Sequence, residues 1–88
     1  MRRKPLAVRY KTVLAASGNV PSAVFVKAAK ILGIPEESYR IGDEVFVRGF
    51  RQASVARHVG VSRQRVHAVC AELLPVINQL MPEREQRT

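Results

Sequence analysis

Apolar residues recur at helical spacing along most of the chain. Leu6, Tyr10, Val13 and Leu14 stand at i, i+4, i+7 and i+8, which predicts a first amphipathic helix closing near Ser17 and Gly18. Pro21 suits the first turn of a second helix. There Val24, Phe25, Ala28, Ile31 and Leu32 form one apolar face, with Phe25 assigned to the core, before Gly33 and Pro35 stop the element. From Glu36 to Gly49 the pattern is ambiguous. Tyr39, Ile41, Val45 and Val47 alternate as in a strand, whereas the flanks offer helical spacing with Phe46. A lone strand would lack a partner, and Glu36 and Glu37 in a first turn complement a helix dipole, so a helix is the expectation here.

The stretch from Gln52 to Ala71 reads as two short helices meeting at a tight turn, a helix-turn-helix. Ala56 is small where the first helix must come close to the second, and Gly60 falls where the turn requires positive φ. Val61 plugs the turn. Val66 and Val69 meet Val55 and Val59 across one apolar seam, and Ser62 stands ready to N-cap the second helix.

Beyond Ala71 the stripe continues through Leu73, Leu74, Ile77, Leu80 and Met81, with Pro75 expected to end or kink the helix. That apolar segment, residues 73–81, either packs back on the chain's own first helix or forms a dimer contact. The whole predicts an all-α fold, a small bundle of about five helices containing the helix-turn-helix. Residues 1–5 form a basic arm, 6–81 the helical domain with the motif at 52–74, and 82–88 a charged tail. Arg2, Arg3 and Lys4 of the arm either follow a nucleic-acid backbone or serve only as a solubilising end.

Charge sharpens this picture. The 88 residues carry 15 Lys and Arg against 7 Asp and Glu, a formal charge of +8. Such a balance suits a polyanionic partner. Five arginines and no acidic residue lie between Arg48 and Ala71, so the positive charge coincides with the proposed recognition unit. One small domain buries a modest core, and a second copy of the chain is expected to add to it.

Cys70, the single cysteine, excludes an intramolecular disulfide and lies on the apolar stripe, where an inert buried thiol is expected. No metal-ligand spacing, phosphate loop or nucleophile motif is present, so neither an enzyme nor a cofactor is expected, and no small-molecule ligand is evident. The basic start is not followed by an apolar run of roughly 7–15 residues. No membrane association is expected, and a cytoplasmic, nucleoid- or plasmid-associated location follows.

With Ser62 as the cap, Arg63, Gln64, Arg65, His67 and Ala68 occupy the first two turns of the second helix, the part that enters the major groove in this motif. Ser62 itself and these five are the candidate base contacts. Arg63 or Arg65 can pair bidentately with guanine, Gln64 with adenine, and Ala68 can meet a thymine methyl. The alternative for the arginines and His67 is a solvated face. Arg48, Arg51, Gln52, Ser54 and Arg57, around and along the first motif helix, are candidates for phosphate contacts that add affinity and no sequence choice.

These residues resemble the plasmid-encoded TrfB/KorA-type transcriptional repressors, small helical proteins that bind operator DNA. The resemblance runs from about Pro21 to Leu74. It is sharpest in Val45-x-Val47-x-Gly49-x-x-Gln52-Ala53-x-x-Ala56, followed by Gly60, Ser62, Arg63 and Val66, with Phe25, Ala28, Leu32 and Ile34 agreeing upstream. It implies that Gln52 and Arg63 help bind DNA and that Glu36 to Val47 is helical. The helix from Leu6 to Ala16 is extra to the family pattern, and the chain ends near where better-known members continue into a dimerisation segment.

The expected function is therefore a sequence-specific repressor of plasmid replication or transfer genes, binding double-stranded DNA as a homodimer on a palindromic operator. The rival is a DNA-architectural protein, such as an excisionase-like or partition accessory factor. An RNA-binding role has few stacking aromatics in its favour.

Overall fold

The computed structural model describes Tyr10 and residues 12–81. The expectations for the basic arm, for Leu6 and for the charged tail lie outside the described residues. The fold is all-α, with no strand among them: α1 (Val13–Ala16), α2 (Ser22–Leu32), α3 (Glu36–Gly42), α4 (Gln52–Val59) and α5 (Arg63–Leu80).

α5 is the axis against which the other helices pack. Val66, Val69, Cys70, Leu73, Leu74 and Ile77 form its buried stripe, and they meet Phe25 and Ala28 of α2, Ile41 of α3 and Val55 and Ala56 of α4 in one core. Gly42 makes this convergence possible. A Cβ there would stand 2.6 Å from Leu73 Cδ1 and 2.7 Å from Phe25 Cε1, so only a residue without a side chain lets α3 settle between α2 and α5.

The ambiguous stretch is helical. α3 runs straight into a π-helical turn over Asp43–Val47, where Arg48 N–H donates to the Asp43 carbonyl at 3.0 Å. Both readings of the sequence have a trace in this turn. The widened turn keeps Glu44, Val45 and Phe46 all buried, while the carbonyls of Val45 and Phe46 accept from Gly18 N–H (3.0 Å) and Val20 N–H (3.1 Å) in the loop after α1. Partners outside the helix thus take carbonyls that a longer regular helix would have used. At the same junction Gly18 and Gly49 touch backbone to backbone, a Cβ on Gly18 falling 3.0 Å from Gly49 Cα.

The structure narrows or corrects three expectations. α5 is uninterrupted from Arg63 to Leu80, with Pro75 inside it. Pro75 and Ala71, the residue whose carbonyl loses its donor, both lie on the exposed side, where water can replace the missing bond. Second, the dimer candidates Leu73, Leu74, Ile77 and Met81 are buried in the protomer's own core, and Leu80 is half-buried against it. Of the two alternatives the sequence left open, the stripe takes the first and packs within the protomer, against α1, α2 and α3. Third, Leu14 is 84% exposed and Ile31 59% exposed, although both fit the helical apolar spacing. α1 has only one turn, and Val13 and Ala16 alone face the core.

Tyr10 fastens the start of the described chain to the far end of α5. Its backbone N–H donates to Asn78 Oδ1 at 2.7 Å, Asn78 Nδ2 donates back to the Tyr10 carbonyl, and its hydroxyl donates to the Asn19 carbonyl at 2.7 Å.

Candidate nucleic-acid interface

α4 and α5 are joined by Gly60, Val61 and Ser62. Gly60 adopts φ of 86°, the left-handed conformation that lets the chain reverse after α4, and its N–H caps the Ala56 carbonyl. Ser62 begins α5 as expected, its hydroxyl accepting from the Arg65 N–H at 3.0 Å. Val55, Ala56, Val66 and Val69 are buried in the seam, and Val59 and Val61 pack at its edge. The burial of this seam fixes which way the polar residues of α5 point.

At about 100° per residue, Arg63, Gln64, His67 and Ala68 share one exposed arc of α5. With Gln52 and Ala53 from the start of α4 they line an open concavity of about 480 Å³. Ala53 was not among the residues the sequence singled out for contact, although it belongs to the string that carries the family likeness. The side chains of Gln52, Arg63, Gln64 and His67 have no hydrogen-bond or ion-pair partner among the described residues. Their donors and acceptors are therefore available to a ligand.

Arg65 is separated from this group. It lies about 200° around the helix from Arg63, and its Nη2 donates to Glu37 Oε1 of α3 at 3.2 Å. Ser62 is occupied as a cap. The concavity thus brings together four of the six residues expected at base edges.

The five phosphate candidates also divide. Arg51 is the N-cap residue of α4 without a side-chain capping bond, so the first-turn amides of Gln52, Ala53 and Ser54 have no intrahelical partner. Arg57 faces Arg63 across a second concavity of about 340 Å³, floored by Ala53, Ala56 and Val61. Ser54 is exposed on α4 between them. Arg48 is engaged, its Nε donating to Asp43 Oδ2 at 2.9 Å, and this carboxylate raises the Arg48 pKa above its ordinary value. Arg57 and Arg63 line the second concavity, and neither has an ion-pair partner among the described residues; Arg51 lines a separate hollow with Leu14, Phe50 and Gln52.

A polar cluster missed from sequence braces α4 from behind. Glu44 is buried, with 8% of its side chain exposed; Arg40 Nε donates to it at 3.4 Å, and His58 Nδ1 lies 3.1 Å from its carboxylate. Arg40 Nη2 also lies 3.3 Å from His58 Nε2. The Arg40 to Glu44 spacing of i, i+4 is a readable signal for the first bond. Nothing local joins either residue to His58.

Cys70 is fully buried, and burial pushes its thiol up to about 12. Among the described residues no group of three or more His, Cys, Asp or Glu side chains is placed to hold a metal, and no helix is long and apolar enough to cross a membrane.

No protein-family model, no curated protein and no solved structure matches this chain.

Proposed function

We propose that this protein is a sequence-specific, double-stranded DNA-binding transcriptional repressor, with α5 as the helix that reads the major groove. The observation that carries this reading is the α4/α5 concavity. It brings Gln52 of α4 together with Arg63, Gln64 and His67 on an exposed arc of α5, their side chains without partners among the described residues, with Arg57 across an adjoining concavity. The arc is part of a 24-residue stretch, Arg48 to Ala71, without an acidic residue. Cations beside such a face attract phosphates, while amide, imidazole and guanidinium tips match the donor and acceptor pattern of base edges.

The likeness to TrfB/KorA-type repressors supports an operator in plasmid replication or transfer genes and a nucleoid- or plasmid-associated location in the cytoplasm. Repression follows if the bound protein excludes polymerase from a promoter. A homodimer on a palindromic site places two α5 helices about one DNA turn, roughly 34 Å, apart. With Leu73, Leu74, Ile77 and Met81 spent on the protomer's core, two such chains meet through another surface.

Selection from a random duplex library at near-physiological salt tests the proposal. A palindromic consensus bound at least about 10³-fold more tightly than random duplex supports a dimeric specific regulator. Steeply salt-dependent binding to every duplex, with no consensus, leaves an architectural protein held by phosphates.

A further inference from the structure

The geometry points to a thymine 5-methyl group as the feature that the α4/α5 concavity accepts. This inference rests on the DNA-reading function proposed above. Of the six residues lining the concavity, the two without polar tips are Ala53 and Ala68, one from each helix. Ala53 is half-buried and Ala68 exposed, so each presents a methyl group to whatever enters. Gln52, Arg63, Gln64 and His67 line the same concavity with tips that reach farther than an alanine Cβ.

A base pair entering this space meets both hydrogen-bonding groups and the two alanine methyls. In the major groove the alkyl feature of an unmodified base is the thymine methyl; cytosine carries only a hydrogen on that ring carbon. Cytosine therefore offers the two alanine methyls no alkyl group to cover. The same surface gains from covering a methyl. Thymine is therefore selected over cytosine by shape and hydration, while the flanking tips read its neighbours or its paired adenine.

The test uses the duplex enriched from the random library, with each thymine replaced singly by uracil, which removes the methyl and leaves the hydrogen-bonding edge unchanged. One thymine per half-site is expected to show about fourfold weaker binding as uracil, the worth of one methyl group removed from water. In the doubly substituted protein, Ala53→Ser with Ala68→Ser, that difference between thymine and uracil is expected to disappear. A consensus whose uracil scan shows no sensitive position overturns the thymine assignment and leaves the DNA-reading function standing. This scan uses the unsubstituted chain, so it does not depend on the serine variant folding. Sensitivity that persists in a folded serine variant overturns the assignment to this concavity. Failure to enrich any duplex overturns both.

Discussion

Arg65 Nη2 donates to Glu37 Oε1 at 3.2 Å, tying the first turn of α5 to the start of α3. Two residues earlier in the same helix, Arg63 has no such partner and lines the concavity with Gln64 and His67. The two arginines lie about 200° apart around α5, and only Arg65 meets an acidic side chain there.

Arg63→Ala is expected to cost roughly 1–3 kcal/mol on the selected duplex and to relax one position of the site. Arg65→Ala should do neither to that extent. Its ion pair is half-exposed on both sides, so its removal changes stability by about 0–1 kcal/mol. Competition binding against a panel of single base-pair substitutions reads both effects. Equal losses for the two variants on selected and random duplex would remove the distinction.

Arg57 offers charge beside the concavity without lining it. Arg57→Ala should weaken all duplexes alike and reduce the slope of log affinity against log salt by about 1. A salt titration on selected and random duplex measures it, and a change confined to the selected sequence would contradict the assignment.

Gly42→Ala sets two effects against each other. Alanine gains about 1 kcal/mol of helix propensity, but its methyl would meet Leu73 Cδ1 at 2.6 Å and the buried Phe25 ring at 2.7 Å. Overpacking of this kind costs typically about 1–3 kcal/mol. A net loss of stability in urea unfolding is expected, and a more stable variant would show that the three helices have room to separate.

Glu44→Gln removes the charge that Arg40 and His58 share while keeping the side chain's size. Hydrogen bonds to a charged group are worth about 1.5–3 kcal/mol, and the half-exposed partners place the loss toward the lower end. Denaturant unfolding of the variant, with Arg40→Gln and His58→Gln alongside, tests this. A neutral Glu44→Gln would mean that the cluster merely fills space.

The buried Cys70 thiol makes stability depend on alkaline pH. Its pKa is raised from 9.0 to about 12 in the fold. Below about 9 both states hold the proton and nothing changes. Between about 9 and 12 the unfolded chain releases it first, so stability falls as pH rises. Cys70→Ala should flatten that part of a stability curve measured from pH 8 to 11, and an unchanged slope would assign the loss to other groups.

Much of this protein was legible as local pattern. Ser62 as cap, Gly60 at positive φ, the valine seam and the inert cysteine all follow from short-range spacing, because capping, turn geometry and helical periodicity act over a few residues. The helical assignment of residues 36–47 was also accessible, through Glu36 and Glu37 in the first turn and the want of a strand partner.

Tertiary structure decided what local spacing leaves open. Periodicity marks Leu14 and Leu74 alike as apolar, yet only packing buries Leu74 and leaves Leu14 to solvent. Pro75 suggests a break, but its effect depends on whether the freed Ala71 carbonyl faces water, and that is set by the face α5 turns to the core. The pairing of Arg65 with Glu37, 28 residues away, and of His58 with Glu44, 14 away, reflects how α3 lies against α4 and α5. The sequence by itself determined the all-α class, the turn between α4 and α5 and the concentration of positive charge, each a property of neighbouring residues. Which arginines stay free, and that two alanines from different helices share one concavity, were decided only when those helices packed, because both depend on distances no local pattern encodes.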